Sequence, residues 1–134
     1  MKIVRGPLRM ESKFYELIGL ALVETQERLI KTGIATAEVR EYLNGCRLFL
    51  SARMVSSLGV ARPLKHCIAL NARLLAMYPD EILTIVVHEV CHLLAYQLHG
   101  DRGHGRPWQN LMVTLGFEPR CYHSLDVSKL RRRG

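Results

Sequence analysis

The sequence predicts an α+β domain, in which a small antiparallel sheet built on a hairpin packs beside a central helix and flanking helices. Three stretches carry that expectation. Residues from about Ser12 to Lys31 repeat apolar positions at helical spacing. Arg47 to Met54 alternate with the period of a strand. A run opening at Pro79 is apolar nearly all round, which suits a helix in the middle of a core.

Each element follows from local chemistry. In the first helix Phe14, Leu17, Ile18, Ala21, Leu22 and Leu29 share a face, with Glu and Lys opposite, and Gly33 is the stop signal. A short helix fits Thr36 to Leu43, closed by Asn44-Gly45. In the next segment Leu48, Leu50, Ala52 and Met54 point one way, while Arg47, Phe49, Ser51 and Arg53 point the other. Gly59 and Pro63 punctuate a connection to a second strand, His66 to Asn71, so a hairpin with outward arginines is expected. Pro79-Asp80-Glu81 then starts the apolar helix, with acids at the positive end of its dipole, and Gly100 ends it. A last helix covers Pro107 to Leu115 and stops at Gly116, before an irregular basic tail from about residue 126.

The 134 residues make one domain, long enough to bury a core without disulfide staples. The N-terminal residues lack a signal-peptide core, and Glu16, Glu24, Asp80 and Glu89 interrupt the apolar runs. A cytoplasmic monomer with no membrane span is therefore the default. Cys46, Cys67, Cys91 and Cys121 lie far apart without a Cys-x-x-Cys pair, which argues for reduced thiols and against a zinc ribbon. The net charge is +7, and its excess is clustered. Arg47, Arg53, Arg62, Lys65 and Arg73 fall between Tyr42 and Pro79, where there is no acidic residue, and Lys129 and Arg131 to Arg133 add a basic tail. Such clusters suit a polyanion, because each neutralised phosphate releases counterions; a merely solubilising surface would look similar.

The chemistry sits on the apolar helix. His88-Glu89-Val90-Cys91-His92 places two imidazoles four residues apart, slightly more than one turn, so both leave one face and can share a metal ion. Glu89 lies about a hundred degrees round the helix, within reach of a water at that site but not an obvious ligand. A metal there would lower the water's pKa, and Glu89 would act as the base. Two histidines and a glutamate on a core helix would be expensive to bury otherwise. A catalytic zinc commonly takes three protein ligands. His99 is two turns further along the helix, whereas His104, flanked by Gly103 and Gly105, can fold back under it and is the better third ligand.

These residues also resemble a known family. His88-Glu89-Val90-Cys91-His92, Gly100, His104-Gly105-x-x-Trp108 and Leu111-Met112-x-x-Leu115-Gly116 are similar to the SprT-like metalloprotease domain. Arg53-Met54, Leu58-Gly59-Val60-Ala61 and Ile68-x-Leu70-Asn71 resemble the hairpin that precedes the helix in that family. The resemblance implies a zincin-like minimal fold and a zinc metallopeptidase with one catalytic Zn2+, Glu89 as base and His104 as third ligand. It also implies action on DNA-associated or DNA-crosslinked proteins, stimulated by single-stranded or junction-containing DNA. Many members continue into a zinc ribbon; none is visible up to Gly134, so DNA contacts are expected from the basic strands and tail.

Among supporting residues, Trp108 is expected to pack under the site, with base stacking the alternative. Tyr122 or His123 could donate to a developing oxyanion, and Cys91 should be turned into the core. Two other functions fit the same residues. One is a zinc-dependent nucleic-acid hydrolase. The other is a non-catalytic nucleic-acid-binding module whose metal site is closed by Cys121 or His123.

Overall fold

The computed structural model describes residues 1–6 and 8–131, leaving out the side chains of Lys129 and Arg131; Arg132 and Arg133 of the expected tail lie outside the described residues. The chain opens with strand β1 (Lys2–Val4), followed by helices α1 (Ser12–Lys31) and α2 (Ala37–Asn44). Strand β2 (Arg47–Ser51), strand β3 (Gly59–Arg62), a 3-10 turn at Pro63–Lys65 and strand β4 (Cys67–Asn71) come next. Helix α3 (Ala72–Met77), a 3-10 turn at Pro79–Glu81, α4 (Ile82–His99), α5 (Arg106–Thr114) and α6 (Ser128–Arg131) complete it.

The helices form where periodicity and caps place them. Phe14, Ile18, Ala21 and Leu29 of α1 are buried, and Thr25 among them satisfies its hydroxyl on the Ala21 carbonyl at 2.7 Å. Thr36 caps α2 by accepting from Val39 N. Pro79 starts a 3-10 turn rather than α4 itself, which begins at Ile82 and ends with Gly100 in the left-handed region, φ 69°. The segment Pro79–His99 is long and apolar enough to cross a bilayer, yet over half of its most apolar window is buried inside the fold. It packs against α1, α5 and β3.

The sheet departs from the expected antiparallel arrangement. It is mixed, in the order β1-β2-β4-β3, and the two strands read as a hairpin run parallel: β2 pairs β4 with Leu48 opposite Ile68. The hairpin is instead β3–β4, with Gly59 opposite Leu70. The chain turns out of β2 at Ser51, whose Oγ accepts from Arg53 N and Met54 N at 3.1 and 3.3 Å. Ala52 therefore ends exposed and Met54 half-buried, while Leu48 and Leu50 are buried as expected. Residues 52–58 then cross over. Asn71 holds that crossing by donating to the carbonyls of Val55 and Ser57, while its Oδ1 caps α3 at Leu74 N. Gly59, read as punctuation, lies within a strand. The strand β1, the helix α3 and the short α6 in the basic tail were not anticipated either.

Candidate metal centre

One face of α4 and the loop after it converge on a single point. His88 and His92 leave α4 one turn apart, and Gly100 reverses the chain so that residues 101–105 return beneath the helix. The Nε2 atoms of His92 and His104 lie 3.1 Å apart, and those of His104 and His88 lie 3.4 Å apart. Imidazoles sharing a tetrahedral ion at about 2.0–2.1 Å would hold their nitrogens about 3.3 Å apart, so the spacing fits a divalent metal. Burial, aided by the neighbouring imidazoles, pushes His88 down to about 3. Burial and His104 push His92 down to about 4, against an opposing pull from Asp101 and the Gly103 main chain. Both rings are therefore neutral near pH 7, with lone pairs free for coordination. These three histidines form a group able to hold a metal. His99, at the end of α4, is exposed and outside it.

Glu89 lies beside the histidines in the lining of one cleft, only 3% exposed. Burial pushes its carboxyl up to about 8. The carboxylate rests against β3: a Cβ on Gly59 would come within 3.1 Å of both Cγ and Oε2 of Glu89. Gly59 is thus favoured by close approach, and its backbone is ordinary.

The family model described as the SprT-like family matches residues 21–126. The chain belongs to the SprT-like family. Protein SprT of Actinobacillus succinogenes is 40% identical over 76 residues, covering 54% of this chain and 45% of that protein. Protein SprT of Shewanella oneidensis is 33% identical over 78 residues, 56% of this chain and 50% of its own. Protein SprT of Pseudomonas putida KT2440 is 38% identical over 76 residues, 53% and 46% respectively. The chain spans about half the length of the curated relatives it matches. No solved structure matches it.

The supports of this SprT-like site come from α5 and the loop before it. Trp108 is fully buried and lies parallel to the His92 ring, with centroids 5.1 Å apart. Its Nε1 donates to the His88 carbonyl at 3.2 Å. Asp101, absent from the sequence reading, accepts from Gly103 N at 2.9 Å and from Trp108 N at 3.3 Å. It thereby ties both ends of the His104 loop, and Gly105 leaves room for its carboxylate. Gln109 adds a bond to the His104 carbonyl at 2.8 Å. An Asp two residues before a glycine is an ordinary turn signal, which is why it did not stand out.

The remaining expected residues separate. Tyr122 lines the cleft but is 88% exposed, with its ring centroid 6.3 Å from that of His104. His123 also lines the cleft, yet its Nε2 is engaged by the Ser56 carbonyl and its Nδ1 accepts from Leu125 N at 3.0 Å. Both ring nitrogens are thus engaged within the protein. Neither Cys121 nor His123 joins the histidine group among the described residues. All four cysteines are free; Cys121 is exposed, and buried Cys91 is pushed up to about 12 by burial and by Glu89. Arg47, Arg62 and Lys65 gather at one end of the sheet, while Arg53 and Arg73 lie beyond the other, where Arg73 bonds the Ala52 carbonyl at 3.4 Å.

Proposed function

We propose that this chain is a zinc-dependent metallopeptidase acting on proteins on or near DNA, with DNA stimulating the reaction. The observation that carries the reading is the convergence of His88, His92 and His104 beside buried Glu89 in one cleft. Three imidazoles with no fourth protein ligand among the described residues favour a zinc site with an open coordination position. When bound, the metal supplies Lewis-acid polarisation of a carbonyl and activation of a water.

The chain's own residues do the rest. Glu89, ionised beside a bound cation, would take a proton from the attacking water and return it to the leaving amine. Strand β3 is the sheet edge that lines the cleft, so its outer backbone can pair with an extended peptide and hold a scissile bond beside Glu89. Main-chain recognition of that kind suits broad sequence preference. Trp108 and Asp101 hold the two histidine-bearing segments together.

The experiment is incubation of the zinc-loaded protein with a DNA-binding protein, with and without single-stranded DNA, beside Glu89→Gln. Fragments that need both Glu89 and DNA support the reading in full. Cleavage that needs Glu89 alone leaves the peptidase and removes the DNA switch. Absence of cleavage by a metal-loaded protein overturns the peptidase reading.

A further inference from the structure

We propose that the outer face of the sheet docks single-stranded nucleic acid, through Lys2, Arg47 and Arg62 as phosphate contacts and Phe49 as the base platform. The proposal deepens the reading above, because it gives the DNA partner a place.

The strand register sets the chemistry of this face. Lys2 is opposite Arg47, Arg47 opposite Cys67, and Cys67 opposite Arg62. Residues paired directly across strands share a face. Three cations therefore stand abreast around the small Cys67, over about 14 Å at ordinary strand spacing. All three are exposed, and Lys65 follows in the turn at the same end. The next row on this face is Val4, Phe49, Ala69 and Val60. The alternate residues Ile3, Leu48, Ile68 and Ala61 belong to or pack on the core, whereas Val4, Phe49 and Val60 do not. A basic row thus runs beside an apolar row in which Val4, Phe49 and Val60 are half-buried and the small Ala69 between them is buried.

Strands β2, β3 and β4 carry no acidic residue. No acid occurs between Tyr42 and Pro79, and none of these cations takes part in an ion pair among the described residues. Arg47 instead places its guanidinium 5.4 Å from the Phe49 ring centroid. A sheet face with one aromatic on a central strand and cations along one row offers what an unpaired strand needs: a ring for a base and charges for the backbone. A duplex hides its bases from such a ring. A membrane would call for exposed apolar side chains, and none of Val4, Phe49, Ala69 and Val60 is exposed.

The face is also next to the cleft. Ala61 and Pro63, which flank Arg62, line the cleft. Nucleic acid on the outer row would bring whatever protein it carries to the rim where β3 meets Glu89.

The test measures binding of a fluorescent oligothymidine to the zinc-loaded full chain by anisotropy, between 50 and 200 mM salt. Wild type is compared with the Arg47→Glu/Arg62→Glu double variant and with Phe49→Ala. The expected result is at least ten-fold weaker binding in the double variant. Removing two phosphate contacts should also lower the slope of log affinity against log salt by about 1.4. Phe49→Ala should weaken binding several-fold with the slope unchanged. Melting curves check that each variant folds; should the double reversal unfold, Arg47→Gln and Arg62→Gln tested singly carry the comparison. Unchanged affinity in folded variants overturns the proposal, as does tighter wild-type binding to the matching duplex or to phosphatidylserine vesicles. Binding without proteolysis would sink the peptidase reading and leave this face standing, and proteolysis without binding would do the reverse.

Discussion

The indole of Trp108 on α5 donates to the main-chain carbonyl of His88 on α4 across 3.2 Å, while its ring lies parallel to that of His92. One buried side chain therefore touches both histidine positions of the helix. Trp108→Phe keeps the aromatic packing and removes the bond. We expect a loss of about 1 kcal/mol in stability. Metal affinity should fall on the order of ten-fold, as for other groups that orient ligands. Competition against a chromophoric chelator reads the affinity, and an unchanged value would assign Trp108 to packing alone.

Asp101 makes a second, separable prediction. Its carboxylate accepts from Gly103 N and Trp108 N, so its removal frees the loop carrying His104 and leaves His88 and His92 on their helix. Asp101→Ala should cost roughly 1.5–3 kcal/mol, the range for hydrogen bonds to a charged group. Metal should dissociate faster than from wild type, and Asp101→Asn should fall between the two. Stopped-flow chelation distinguishes these cases.

Gly59→Ala tests the approach of β3 to Glu89. The new methyl would stand 3.1 Å from Cγ and Oε2 of Glu89 and from Cγ1 of Ile85, so the carboxylate must move. Overpacking of this kind costs roughly 1–3 kcal/mol. Peptidase turnover should drop by about three- to ten-fold, less than the roughly hundred-fold cost of a full ångström of misplacement, because relieving the contact takes a shift of the carboxylate that is only a fraction of that. Metal affinity should stay close to wild type. A variant that loses metal and turnover together would show that β3 supports the histidines rather than the base.

The pH dependence of the metal-free protein has two opposed limbs. Glu89 rises from an ordinary 4.5 to about 8 on folding, so the folded state holds its proton more tightly. Its contribution to stability is complete below 4.5 and is lost as pH climbs through 8. His88 and His92 fall from 6.5 to about 3 and about 4, so their contribution is present above 6.5 and is lost as pH falls through those values. Wild type without metal should be most stable near about pH 6. Glu89→Gln should abolish the alkaline limb and stabilise the metal-free protein at pH 8 by on the order of 1–3 kcal/mol. Urea melts from pH 4 to 9 measure both limbs, and a Glu89→Gln curve parallel to wild type would show that Glu89 is not the group responsible.

The reach of the sequence can be judged element by element. The sequence alone located α1, α2, α4 and α5 to within a few residues, since apolar periodicity, proline and glycine act within one turn of the chain. The pair His88 and His92 needed only the helical repeat. His104 required one further step, a glycine-flanked loop able to fold back beneath the helix. The place of Glu89 beside the histidines in the cleft followed from its position between His88 and His92.

What the tertiary structure decided involves residues far apart in the chain. Parallel pairing of β2 with β4 depends on where residues 52–58 cross, and that crossing is held by Asn71 bonds spanning 14 and 16 residues. Alternation along a strand specifies a face, but carries no information on which neighbour lies beside it or in which direction it runs. The role of Gly59 is likewise invisible locally, because its reason is a carboxylate thirty residues later. His123 shows the same limit: its chemistry is set by a carbonyl at Ser56, 67 residues away in sequence. Ligand spacing on one helix is a local property and can be read from the chain. Which groups surround those ligands is a property of packing, and only the folded molecule supplies it.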